Sequence, residues 1–545
     1  MTESNGFNLI DDPWIMVLDH DGTLHEVSIL GLIEEAPRFA RIVGDIETQA
    51  FAIVRLLLAF LHRAIDGPAD EEEWLALWQA DELPADAVHR YADRVRGRFD
   101  LFHPRTPFFQ VADLRSGSDG VSGLEKIIAD IPNGIPFFTT RSAASVGRIT
   151  AAEAARWLVH VHAFDPAGIK TGAVGDPTVK GGRGYGSTVG WSGQIGGVLP
   201  HGENLRETLV LNLIARSAEA YVQVGCDGDV PPWERDPDGP TWSERPPRGA
   251  IDLYTWQTRR VRLVGDPTGV TGVVLAKGDV IEPRNRHLVD PHTAWRDRNP
   301  RKKHGVVVYM PYTHDPNRAV WRGLNAILPA TASRRAGGRE SERFLAPGVL
   351  QWVADLAEQG YLPDGYRPRT RVYGVQYGRD KTVYAEIVTD ELPLSVMVLR
   401  DDHPEAGRVA VAAIEDAEAV ADELRKLAEN VAQAGGARPN SGAGGAAREE
   451  LYAVLDAPYR RFLGTLAPGV DLERARVDWT REVYRATRGI ARRIVTEASP
   501  AAWTGREIRG RLVNVGLAEA WFMAALRRRL PPQVFEMKQS EEIPA

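Results

Sequence analysis

The chain has one cysteine, Cys226, in 545 residues. A lone thiol excludes an internal disulfide framework and any multi-thiolate metal site, and the expected location is a reducing one, the cytoplasm. Long apolar runs are missing too. No unbroken stretch approaches the roughly 18–20 apolar residues that span a bilayer, and the opening MTESNGFNLIDDPW has neither the basic segment nor the apolar core of a signal peptide. No membrane partner is expected. Positive charge is also short: 66 Lys and Arg against 74 Asp and Glu leave a net charge of −8. That excludes coating a nucleic acid by bulk charge, so any phosphate contact must come from local basic stripes. What is present is ordinary for a globular protein, with 43% hydrophobic and 26% charged residues. The length implies two or more domains, since single cores stop growing near about 250–300 residues.

Turn chemistry and periodicity divide the chain. Trp14–Leu18 and Leu24–Ile29 are strand-like and flank Asp21-Gly22, a hairpin signal. Asp45 is positioned as a helix N-cap, and Phe51–Ala64 carries a dense apolar face, so a buried helix is expected. Further helices are expected over Glu71–Gln79, Ala85–Arg96 and Asn204–Ser217. Phe99 to Leu199 reads as loop-rich, most of all Gly168–Gly197, where glycine permits positive φ and close backbone approach to a ligand. Short strands are expected at Val261–Val264, Val270–Ala276 and Gly305–Tyr309, with Arg371–Tyr377 and Thr382–Val388 forming a hairpin around a charged tip. Four helical blocks follow, 405–433, 447–466, 472–498 and 504–530, with a Gly- and Ala-rich connection at Ala434–Ala447 and a frayed tail. The expected class is α+β: a mixed N-terminal domain over 1–392 and a four-helix bundle over 393–545.

No catalytic set emerges. Gly182, Gly184 and Gly186 suggest a phosphate loop, but Gly168-Ile169-Lys170-Thr171 inserts an isoleucine into the Gly-Lys-Thr ending and lacks a strand–loop–helix frame. His20-Asp21 resembles a metal-nuclease dipeptide, although a hairpin turn explains it better. His160 and His162 fall on one side of a strand, but with no third ligand they read as core or surface histidines. Gly190-Trp191-Ser192-Gly193 lacks the spacing of a nucleophile elbow.

Basic stripes are present. Arg481, Arg485, Arg488 and Arg492 are spaced four, three and four apart, one face of a helix. Four cations in a row repel one another, a cost that phosphates relieve; the plain alternative is a solvated face with acidic neighbours such as Glu482. Arg527-Arg528-Arg529 suits a helix C-terminus equally well. Arg296, Arg298, Arg301, Lys302 and Lys303 make a second patch in a loop. The charged hairpin tip and the glycine stretch together suit a wedge and a close-approach loop on duplex DNA.

The opening Phe7-Asn8-Leu9-Ile10-Asp11-Asp12-Pro13-Trp14-Ile15, the helix after Asp45, Phe137-Phe138, the glycine stretch, Leu205–Asn212, the hairpin and the terminal helices come in an order that resembles the CasA family. This is the large subunit of the type I-E Cascade CRISPR complex, and the resemblance covers nearly the whole chain. It implies a non-catalytic subunit without cofactor or metal, whose partners are CRISPR RNA, double-stranded target DNA, the other Cascade subunits and a helicase-nuclease. It implies reading of the PAM, the short motif flanking the target, while base pairing reads the rest. Matched onto this sequence, the minor-groove readers are Gly168, Lys170, Gly172, Gly181, Gly182, Gly184 and Lys277. The wedge is Arg379, Asp380, Lys381 and Thr382. Where the family wedge often carries glutamine this chain has Lys381, with Gln376 the alternative. Phe137, Phe138 and Thr139 match a loop at the RNA 5′ end or PAM duplex. The rival readings are a metal-dependent nuclease built on His20 and Asp21, and an assembly scaffold without a DNA role.

Overall fold

Asp19 builds the first hairpin. Its carboxylate accepts from the backbone N–H groups of Asp21 at 3.0 Å and Thr23 at 2.7 Å, and His25 Nε2 lies 2.8 Å from its other oxygen. In this computed structural model, which describes residues 6–117, 120–131, 139–298, 307–328, 344–400 and 402–535, strands β1 (Ile15–Asp19) and β2 (Leu24–Val27) pair antiparallel across that turn. Strand β3 (Phe39–Ile42) adds to the other edge of β1. The short helix α1 (Ile29–Glu34) is capped by the Ser28 hydroxyl.

Helix α2 (Glu47–Ile65) is the core of the first unit. Asp45 does not cap it: Ile46 is the N-cap, and the Asp45 carboxylate instead pairs with Arg156 at 3.3 Å. By length and composition α2 is apolar enough to cross a membrane, which a search for unbroken apolar runs overlooks. Here it is buried, and its one interior guanidinium, Arg55, meets Asp290 through two hydrogen bonds of 3.0 Å. Trp191 Nε1 and the backbone N–H of His292 complete the acceptor set of Asp290, so this buried pair leaves neither carboxylate oxygen bare.

Helices α3 (Glu71–Gln79) and α4 (Ala85–Val95) follow the expected bounds to within a residue. Helix α5 (Ala151–Phe164) corrects the loop-rich reading and places the histidine pair on a helix rather than a strand. Residues two apart on a helix diverge by about 200°, and both are core residues: His160 Nε2 lies 3.0 Å from the Thr48 hydroxyl, and His162 Nε2 lies 2.9 Å from the Phe109 carbonyl. Burial pushes each ring's pKa down to about 3. Strands β4 (Gly168–Thr171), β5 (Arg183–Ser187), β7 (Arg259–Asp266) and β8 (Gly269–Lys277) make one sheet in the order β5-β4-β8-β7. Strand β6 (Gly197–His201), followed by helix α6 (Leu205–Asn212), forms another with Arg369–Tyr377 and Tyr384–Pro393. The strand expected at Gly305–Tyr309 lies partly outside the described residues; Tyr309–Pro311 is extended and pairs with Trp295–Asp297.

The chain divides into two compact units. One comprises Met1–Val320, Ala332–Leu362 and Pro368–Glu391; the other comprises Trp321–Thr331, Pro363–Arg367 and Leu392–Ala545. In the second, helix A (Glu405–Ala434) packs against B (Ala443–Thr465), C (Leu472–Thr496) and D (Val515–Arg529). Small residues Ala410, Ala413 and Ala417 on A let large rings approach. Tyr459 of B donates to the Ala410 carbonyl at 2.9 Å, and the Trp479 indole of C donates to the Ala413 carbonyl at 2.8 Å. The fourth expected block is not one helix. Pro500–Thr504 is a short helix, and Arg506–Ile508 pairs with Arg511–Val513 before helix D begins. Arg509 and Gly510 both have positive φ, 52° and 76°, and make the tight turn between them.

Candidate nucleic-acid interface

The glycine stretch is a β-hairpin more than a loop. Gly181 and Gly182, with φ of 56° and 72°, reverse the chain between Lys180 and Arg183, whose backbone groups bond each other in both directions at 3.1 Å. Two consecutive positive φ values are what a type I′ turn requires, and glycine supplies both without a Cβ penalty. A Cβ at either glycine would meet nothing within 4 Å, so this tip faces open space. Gly172 has the opposite character: a Cβ there would lie 2.5 Å from Val179 Cγ1 and 2.7 Å from the Gly182 backbone. Gly184 sits beside Lys277, whose Cβ would be 3.5 Å from an added Cβ.

Lys277 ends β8 with its ammonium 3.2 Å from the centre of the Trp242 ring, a cation–π seat that fixes its direction. Burial lowers its pKa, with Asp176 and Glu244 opposing the shift. Lys170 is on the neighbouring strand and turned inward. Its Nζ bonds Asp165 at 2.5 Å, and Arg259 Nε bonds the same carboxylate at 2.5 Å. Burial alone would raise the Asp165 pKa; the two cations outweigh it and hold the carboxyl below its usual range.

The hairpin expected to act as a wedge meets this sheet directly. The Ala167 backbone N–H donates to the Lys381 carbonyl at 2.9 Å, and a Cβ on Gly168 would lie 3.2 Å from Thr382 Cγ2. The tip closes through Lys381 N–H to the Gly378 carbonyl at 2.9 Å and Gly378 N–H to the Val383 carbonyl at 2.9 Å. Asp380 and Lys381 both have positive φ, 54° and 56°. The Arg379 side chain is 96% exposed and that of Asp380 80% exposed, so the tip projects from the protein. Gln376 is exposed on the preceding strand, behind the tip. The structure thus gathers Gly168, Lys170, Gly172, Gly181, Gly182, Gly184, Lys277 and the tip Arg379–Thr382 around one sheet.

A family profile described as CRISPR-associated protein Cse1 matches residues 8–490. The chain belongs to the Cse1 family. A CasA/Cse1 protein of Thermus thermophilus is 31% identical over 480 residues, 86% of this chain and 84% of that protein. The crystal structure of Thermobifida fusca Cse1 superposes with a TM-score of 0.87 at 43% identity, covering 97% of this chain and 99% of that one. Cse1 from Acidimicrobium ferrooxidans gives a TM-score of 0.83 at 35% identity over 96% and 98% of the two chains. A chain of a CRISPR RNA-guided surveillance complex shares the fold, with a TM-score of 0.66 at 17% identity over 90% of this chain and 98% of that one.

The other candidate residues are spread wider. Thr139 accepts from the Arg141 backbone N–H at 3.1 Å and donates to Asp130 at 3.2 Å; Phe137 and Phe138 lie outside the described residues. Arg296 is exposed on the central strand of a three-stranded sheet and Arg298 is exposed just after it, whereas Arg301, Lys302 and Lys303 lie outside the described residues. On helix C, Arg481 pairs with Asp478 at 2.7 Å and Arg485 with Glu482 at 3.3 Å, the solvated-face alternative. Arg488 bonds the Tyr484 hydroxyl at 3.1 Å, and Arg492 is exposed. His20 and Asp21 belong to the first hairpin turn, and among the described residues no three His, Cys, Asp or Glu side chains gather as a metal-holding group. Sequence reading passes over Lys180, Arg183 and Tyr185, which are exposed at the Gly181-Gly182 tip; the Gly-Gly pair between two cations is the available signal.

Proposed function

We propose that this chain is the subunit of a CRISPR RNA-guided surveillance complex that reads the PAM in double-stranded DNA and starts strand opening. The supporting observation is the joint between Ala167 and Lys381, which ties the wedge tip to the glycine hairpin next to Lys277. A backbone tip free of Cβ atoms suits a narrow groove, a directed ammonium suits its acceptors, and a projecting charged turn suits insertion between base pairs. Reading and opening then act on adjacent base pairs, so recognition leads straight into RNA–DNA pairing. The basic face of helix C holds the displaced strand through its phosphates, and the opened complex recruits the helicase-nuclease. The chain itself carries no cleavage chemistry in this reading.

The test is target binding by the RNA-loaded complex with and without this subunit, on duplexes with intact and scrambled PAMs, repeated with Lys381→Ala. PAM-dependent binding that requires the subunit, with strand opening lost in the variant, is the expected result. Binding indifferent to subunit and PAM alike would leave the scaffold reading, which the net charge of −8 favours. Cleavage of labelled DNA by the isolated chain with Mg²⁺ or Mn²⁺ would favour the nuclease instead.

A further inference from the structure

Beside the wedge lies a cleft of about 220 Å³ that shares Gly168, Lys170 and Thr382 with the groove-reading and wedge residues and whose isoleucine wall has no role so far. One wall is apolar, from Ile127, Ile128, Ile131 and Leu275; the second is the strand Gly168–Thr171, and the third is the return of the wedge hairpin, Thr382–Tyr384. Its floor carries unbalanced charge. Arg259 and Lys170 contribute two positive charges against the single negative charge of Asp165, leaving one in excess. Arg259 is engaged at every nitrogen, with Nη1 donating to the Thr258 carbonyl and Nη2 to those of Asp165, Pro166 and Thr188 at 2.7–3.2 Å. Lys170 keeps more of its donors open. An ammonium has three donors, and its one acceptor among the described residues is Asp165. The excess charge therefore emerges at Lys170, inside the cleft; Lys126 lines the same cleft with the Glu125 carboxylate 3.9 Å from its ammonium, a contact that an incoming phosphate would have to replace. A buried ammonium with open donors facing an apolar wall fits a ligand with an anionic end and a flat apolar body. The space is below the roughly 300–1,000 Å³ of drug-sized pockets, enough for one planar group rather than a chain of them.

We propose that this cleft captures a single nucleotide turned out of the DNA stack where the hairpin parts the strands, its base against the isoleucine wall and its phosphate on Lys170 and Lys126. The inference rests on the strand-opening role above. Unstacking a base costs a few kcal/mol, and a waiting pocket offsets that cost where opening begins and keeps the first pair from reclosing.

The experiment puts 2-aminopurine, in turn, at each of the first positions beside the PAM in either strand. Full RNA-loaded complexes carry the wild-type subunit, Lys170→Met or Lys126→Glu. The expected result is one position that is bright, hence unstacked, yet shielded from acrylamide in the wild-type complex. Both variants should lose that shielding several-fold. Lys170→Met leaves the Asp165–Arg259 pair in place; Lys126→Glu changes a half-exposed side chain and carries the test if the first variant misfolds. Equal shielding in all three complexes, or no shielded position, overturns the cleft while PAM-dependent binding by the wild type stands. If the wild-type complex binds scrambled PAM as tightly as intact, the strand-opening reading falls and takes the cleft with it.

Discussion

Lys381 holds a backbone conformation that a lysine rarely takes. It follows Asp380 in the left-handed region, at φ of 56° after 54°, and neither residue is glycine. A left-handed residue with a Cβ costs roughly 1–2 kcal/mol, and aspartate tolerates the region better than lysine does. What Lys381 keeps in return is a charged side chain at the tip, and a carbonyl that accepts from Ala167 whatever the side chain is. Backbone and side-chain contributions can therefore be separated. Lys381→Gly should stabilise the protein by about 1 kcal/mol, read as a higher denaturant midpoint, while Lys381→Ala should leave stability near the wild type. Strand opening by the complex should fall equally in both. If glycine restores opening and alanine does not, the turn's geometry matters and the lysine side chain does not.

At the scale of elements, local signals are legible and global ones are not. The wedge turn, α3 and α4 are readable because turn residues and a one-sided apolar stripe act locally. Helix α5 escapes a periodicity search because it is buried nearly all round and shows no one-sided stripe; its capping box Thr150-Ala151-Ala152-Glu153, in which the Thr150 hydroxyl accepts from the Glu153 N–H at 3.1 Å, is the usable sign. The fourth bundle block reads as one helix although Gly505 and Gly510 punctuate it, and both have positive φ. Strand β4 is unreadable, since Gly-Ile-Lys-Thr gains its order from pairing with β5 and β8, and β8 is distant in sequence. The arginine stripe is legible as a stripe, but the sequence does not say which of its cations are already neutralised. Arg481 and Arg485 have carboxylate partners, so a phosphate must displace those first. Charge reversal at Arg488 and Arg492 should therefore flatten the salt dependence of target binding more than reversal at Arg481 and Arg485. For single-stranded DNA the slope of log K against log salt should change by about 0.7 for each phosphate left unneutralised. An unchanged slope in both double variants would remove the bundle from DNA binding.

Over the whole molecule, histidine is unevenly placed, and this sets how the chain responds to acid. The N-terminal unit buries His62, whose pKa is lowered to about 4, and His160, His162, His201 and His292, each lowered to about 3, with burial the leading cause for all five. The folded values lie below the ordinary 6.5, so between those limits the unfolded chain binds protons that the folded one refuses. Stability must then fall as pH falls from about 6.5 towards 4, by up to roughly 1.4 kcal/mol per pH unit for each ring. Asp229 acts in the opposite sense, because burial raises its pKa to about 6 and the folded state takes up its proton first. One such group does not balance five, and a domain holds only about 5–15 kcal/mol in total. The C-terminal unit has one histidine, His403, with its side chain 65% exposed, and buries none. Acid should therefore unfold the chain in two steps between pH 6.5 and 4. The N-terminal unit should go first, followed by near-ultraviolet circular dichroism, while helical signal from the bundle persists. His292→Leu is the sharpest variant, since neither His292 ring nitrogen has a hydrogen-bond partner among the described residues and an apolar replacement orphans nothing. It should shift the first step to lower pH by the loss of one proton from the slope. A single transition for both units, or a first step that His292→Leu does not move, would show that the buried rings do not govern it.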